Sequence, residues 1–133
     1  MTSQWTTSTN WLISQDELNS WLDSLAQRRT LIAPRDVSGV LLYKKVKDSS
    51  EITWGNKRTV MSAKEWFFPS TDRLFTIRKN DGEVELEENL PDEQQIIFGV
   101  HPCDARGVRL LDAVFLDNNP VDPYYQKRRE NTA

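Results

Sequence analysis

One cysteine and one histidine occur among the 133 residues of this chain. An intrachain disulfide framework is thereby excluded, and a closed zinc site of the usual four Cys and His ligands is not expected. A single unpaired thiol agrees with a reducing compartment, so a cytoplasmic location is expected. No apolar run approaches the roughly 20 residues that cross a bilayer. The opening MTSQWTTSTN lacks the basic and apolar regions of a signal peptide. No membrane insertion is expected. Basic excess is missing too: 17 Lys and Arg face 20 Asp and Glu, a formal charge of -3, which argues against a nucleic-acid partner. With no Gly-x-Ser-x-Gly, no phosphate loop and no base placed against a nucleophile, autonomous hydrolytic catalysis is not expected.

What remains is an ordinary globular composition, 38% hydrophobic and 28% charged, of about one domain's length. Residues 1–10, rich in Thr and Ser, read as a flexible tail in which only Trp5 is notable, and residues 11–133 read as a single globular domain. Ser14-Gln15-Asp16-Glu17 is a capping-box pattern, and Leu18, Trp21, Leu22 and Leu25 follow at helical spacing to about Arg29. Leu31–Pro34 and Val40–Val46 read as a hairpin about the turn Asp36–Gly39. Ile52–Trp54 and Arg58–Met61 suggest a second, smaller hairpin about Gly55-Asn56. Ser62–Glu65 opens a helix that Pro69 limits to about two turns. Leu74–Arg78 and Glu83–Leu86 flank Asn80-Asp81-Gly82 as a strand pair with one acidic face, part of a meander. Asn118-Asn119-Pro120 and Asp122-Pro123 break a helix, and Tyr124–Arg129 begins another. The fold expected is α+β or α/β: a mixed sheet, an N-terminal amphipathic helix and a strand-turn-helix unit near the C-terminus.

That last unit, Ile96–Leu116, carries the cysteine. Ile96–Val100 is a short apolar run suited to a strand buried on both faces, and Pro102 stops it. From Ala105, Val108, Leu111 and Phe115 recur at helical spacing, with Leu110 and Val114 beside them. Asp104 stands where an N-cap is favoured. Cys103 then lies just before a helix N-terminus, whose field suits a thiolate able to bind metal or attack a disulfide. The other reading is a small core residue, the common fate of a lone cysteine. Asp104 would cap the helix and Arg106 meet an anion, cofactor phosphate or carboxylate at the same end, or both would be structurally paired. Arg128 and Arg129 suit bidentate contacts to a flavin phosphate or a partner's carboxylates. The alternative is a solvated helix end, since neighbours in a helix point about 100° apart. Of the five tryptophans, Trp11 and Trp21 are expected to fill the groove between first helix and sheet. Trp54 and Trp66, near turns, are candidates for an exposed aromatic patch.

HPCDARGVRLLDAVFL followed by DPYYQKRRENTA resembles the signature of the sulfhydrogenase beta subunits and the A subunits of anaerobic sulfite reductases. SAKEWFFPSTDRLF, over Ser62–Phe75, resembles their SPKE-x-x-FP segment, and Leu31–Pro34 with Val40–Val46 their opening strands. The resemblance covers nearly everything after Asn10. His101 stands where that family has arginine.

The resemblance implies an iron-sulfur, flavin-linked electron-transfer subunit that works beside a redox partner subunit, with Cys103 as ligand or neighbour of the centre. Clusters of that kind normally take four thiolates, so a single cysteine makes this chain at most one contributor. The expectation is therefore the N-terminal domain of a larger iron-sulfur subunit of a hydrogenase or sulfite reductase-type complex, not catalytic alone, from a truncated or split coding sequence. The alternative is a non-enzymatic interaction domain that docks a redox partner. A thiol-redox protein acting through Cys103 alone is a third option.

Overall fold

The computed structural model describes residues 11–55, 57–80 and 82–133. The expected tail with Trp5, and the turn residues Asn56 and Asp81, lie outside them. Ser14 starts the first helix, α1 (Gln15–Ala26), through the expected capping box: Glu17 N–H donates to Ser14 Oγ at 3.3 Å and Ser14 N–H to Glu17 Oε2 at 3.0 Å. The Ser14 hydroxyl, which donates to Glu17 Oε2 at 2.7 Å, and then the Ser14 N–H hold the Glu17 carboxyl below its ordinary pKa. Leu22 is the residue of α1 that becomes fully buried, with Leu18 one turn earlier packed beside it. Trp21 stays 51% exposed and Trp11 87%. The expectation that these two tryptophans fill the groove is thus wrong. Leu18 and Leu22 share a face at i, i+4, and Trp21, about 100° around the helix, is turned away from it.

β1 (Thr30–Val37) and β2 (Val40–Val46) form the expected antiparallel hairpin. Ser38 and Gly39 have φ of 56° and 84°, the two positive values that a tight two-residue hairpin loop requires. Asp36 Oδ1 accepts the Gly39 N–H at 2.8 Å and fixes the turn. β5 (Gln95–Ile97) joins the other edge of β1 in parallel, giving the order β2-β1-β5. The outer edge of β5 is met by the last residues: Gln95 and Ile97 donate to the carbonyls of Asn131 and Ala133, both at 2.9 Å. Alternation along the strands sends Ile32, Tyr43 and Ile97 to one face and Leu31, Ala33 and Val46 to the other. Each face has its own core, the first with Val108 and Tyr125, the second with Leu22 and Ile52.

The mixed sheet and flanking helices make the fold α+β. The remaining elements are β3 (Phe75–Asn80) and β4 (Glu83–Glu88), then α2 (Pro102–Phe115) and α3 (Pro123–Glu130). β3 and β4 pair only with each other, so they are a separate two-stranded sheet and not part of a meander. The second hairpin expected at Ile52–Trp54 and Arg58–Met61 is not formed by the described residues. Thr53 N–H donates instead to Pro34 C=O, and Val60 N–H to Leu41 C=O, so each segment docks on the first hairpin. Ser62 opens a single 3-10 turn, Ala63–Trp66, in place of two helical turns. Among the described residues no helix is long and apolar enough to cross a membrane.

Candidate functional site

The strand-turn-helix unit is set by a proline on its neighbour. Phe98 N–H donates to Ile32 C=O at 2.8 Å, and the next parallel rung would need an N–H from Pro34, which has none. β5 therefore leaves β1 there. Thr53 takes over the vacated edge: its N–H reaches Pro34 C=O at 2.8 Å and its Oγ1 accepts Asp36 N–H at 2.9 Å. Gly99 turns the chain at φ +76°, a backbone conformation that favours glycine. Between the diverging segments lies a cleft of about 200 Å³ walled by Pro34, Trp54, Phe98 and His101. Trp54 meets Phe98 edge-on, ring centres 5.7 Å apart. The strand expected over Ile96–Val100 is only Gln95–Ile97: Ile97 is buried on one face, Ile96 and Phe98 are partly buried on the other, and Gly99 is exposed.

Helix α2 begins at Pro102, not after Asp104. Its N-cap residue is His101, whose side chain makes no capping bond, and Pro102 occupies the first turn, where its missing N–H costs nothing. The expected N-cap role of Asp104 is corrected accordingly. Asp104 is buried inside the first turn, and its Oδ1 accepts Ser62 Oγ–H at 2.5 Å. It thereby ties α2 to the 3-10 turn at Ala63–Trp66. Cys103 also lies within that first turn rather than before it, and it is exposed. The core reading of this cysteine is not what the structure shows. Arg106 is exposed as well.

Beneath this turn sits Tyr43, fully buried, its hydroxyl donating to Gly99 C=O at 3.0 Å. Burial pushes its ionisation up, and the nearby Asp104 charge pushes the same way. The side chain of Lys64 lies across α2: a Cβ at Gly107 would come within 2.7 Å of Lys64 Cδ. Tyr43, Ser62 and Lys64 have no sequence signal linking them to the cysteine turn, because their contacts are all long-range. Among the described residues, no group of three or more His, Cys, Asp and Glu is arranged to hold a metal ion.

Arg128 and Arg129 are engaged elsewhere, and on different partners. Arg128 Nη2 meets Asp72 Oδ2 at 2.7 Å. Arg129 Nε meets Asp112 Oδ1 at 3.1 Å, with its guanidinium 5.8 Å from the Phe67 ring centre. Asp112 also accepts Tyr125 O–H at 2.7 Å. Burial first, then the bond to Asp112, drives the Tyr125 phenol well above its ordinary pKa. Asp112 lies along α2 about 13 Å from Cys103, at 1.5 Å per residue. The two arginines are therefore not gathered with Cys103, Asp104 and Arg106.

No protein-family model and no solved structure matches the chain. Sulfhydrogenase 2 subunit beta of Pyrococcus furiosus is 38% identical to it over 89 residues, 67% of this chain. The chain is a relative of that sulfhydrogenase beta subunit. The matched stretch spans 25% of the relative's length, so the similarity to the sulfhydrogenase subunit concerns one portion of a much longer protein.

Proposed function

We infer that this chain is the docking portion of an electron-transfer subunit in a hydrogenase-type redox complex, and that the redox centre is held mainly by other residues of the subunit. The observation that carries this reading is the 38% identity to sulfhydrogenase 2 subunit beta. The chain's own donors do not fit an iron-sulfur cluster: one thiol stands where four are normally needed. Of the groups expected at a flavin, Asp104, Arg128 and Arg129 are bonded to protein partners and Arg106 is exposed, which favours a flavin held mainly by other residues. The exposed Cys103 and Arg106 on α2 are what this chain offers to a shared centre. An exposed, unpaired thiol belongs in a reducing cytoplasm.

The test compares this chain with the natural gene product that contains it, both purified without oxygen together with whatever redox subunits co-elute. The whole product should carry iron, acid-labile sulfide and visible absorption, and bring a redox partner with it. The chain alone should be colourless. A chain that binds a stoichiometric cluster by itself, or a whole product with neither redox group nor redox partner, overturns the reading.

A further inference from the structure

The β3–β4 ladder is largely exposed, and its chemistry is sharply divided. Cross-strand pairs Ile77↔Leu86, Lys79↔Val84 and Phe75↔Glu88 share one face, and Thr76↔Glu87, Arg78↔Glu85 and Asn80↔Glu83 share the other. On the first face Ile77, Val84 and Leu86 are 69%, 66% and 62% exposed. On the second, Glu87 is paired with Arg78 at 3.2 Å, while Glu83 and Glu85 make no ion pair among the described residues. The ladder is anchored at its base, where Tyr124 O–H donates to Leu74 C=O at 2.9 Å and the Tyr124 ring meets Phe75 edge-on. A two-stranded ladder with a bare apolar face is marginal without further cover.

The open edges differ. Asn89 N–H donates to Leu74 C=O at 2.9 Å, so by alternation Glu83, Glu85 and Glu87 direct their backbone groups at β3. Those of Val84, Leu86 and Glu88 then point outward and have no backbone partner among the described residues. The edge of β3 is guarded by Lys79, a charge set within the apolar face, which is how natural sheets block pairing. Between its acidic end residue and the turn, β4 has only Val84 and Leu86 on that face. A second copy of the chain suits this edge poorly. β4 against β4 sets glutamates against glutamates, and β4 against β3 makes an open-ended, non-closing contact.

We propose that β4 accepts an added strand from a different protein, an extended segment in which lysines or arginines alternate with apolar residues. Its cations meet Glu83, Glu85 and Glu87 on one face, and its apolar side chains cover Val84 and Leu86 on the other, while main-chain bonds fill the open edge. This surface is independent of where any redox centre lies, so its failure leaves the cofactor comparison untouched.

The experiment follows amide hydrogen exchange by NMR in the full chain, with a short capped peptide alternating lysine and valine as the probe. At a peptide concentration about ten times its Kd, exchange at Val84, Leu86 and Glu88 should slow about tenfold, less so as salt is raised. A glutamate-valine peptide should have no effect. Reversing Glu83→Lys and Glu85→Lys together should abolish protection by the lysine peptide while the amide spectrum of the β2-β1-β5 sheet is unchanged. Equal protection by both peptides, no protection by either, or concentration-dependent dimerisation of the chain through these amides without peptide overturns the proposal.

Discussion

Asp104 and Cys103 are adjacent in sequence and opposite in consequence. Asp104 is buried against Ser62, so Asp104→Ala leaves the Ser62 hydroxyl without its partner and α2 without its tie to the 3-10 turn. The expected cost is about 1–3 kcal/mol, read as a lower urea midpoint at unchanged m-value. Cys103→Ser touches an exposed side chain and should stay within about 0.5 kcal/mol of the parent. A Cys103→Ser cost equal to that of Asp104→Ala would place the thiol in the core. Tyr125 adds a pH dependence. Its phenol, like that of Tyr43, ionises in the folded chain above the unfolded value of about 10. The folded chain then keeps protons that the unfolded chain releases, so stability is full below pH ~10 and declines as pH rises beyond it. Tyr125→Phe should make that alkaline decline shallower in urea titrations. An unchanged slope would mean that Tyr125 does not contribute to it.

At the scale of elements, burial decides which residues of α1 matter. Leu22→Ala removes a fully buried side chain and should cost about 2–5 kcal/mol. Trp21→Ala, half exposed, should cost less than about 1 kcal/mol. A reversed order in urea denaturation would mean that α1 packs by its other face. The start of α1 was legible in the sequence because Ser14 and Glu17 cap it with neighbours in the chain. The β1–β2 turn was legible for the same reason. The segments at Ile52–Trp54 and Arg58–Met61 were not, since their partners are Pro34 and Leu41 on another hairpin. Nor was the length of β5, which is limited by a proline on a strand more than sixty residues away in the sequence. At the candidate site the turn itself was readable from Pro102. The exchange of roles, with Asp104 buried and Cys103 exposed, depends on Ser62 and Tyr43, contacts that no local pattern announces. α2 starts earlier than an Asp104 cap would place it because proline is well suited to the first helical position.

For the whole molecule, the pattern is a two-sided mixed sheet beside which Asp104, Asp112, Arg128 and Arg129 of α2 and α3 are bonded to protein partners. Asp72 pairs with Arg128, Asp112 with Arg129, and Ser62 with Asp104. Among the groups exposed on the described residues are the thiol of Cys103, Arg106 and the divided β3–β4 ladder. The function proposed above, docking and positioning within a redox subunit, rests on the similarity to a portion of sulfhydrogenase 2 subunit beta. The most direct test is the iron and acid-labile sulfide content of this chain beside that of the natural gene product containing it, both purified anaerobically. The account predicts a loaded centre in the whole product and none on the chain alone. A stoichiometric cluster on the isolated chain, or a whole product that holds no redox group and binds no redox subunit, would contradict it.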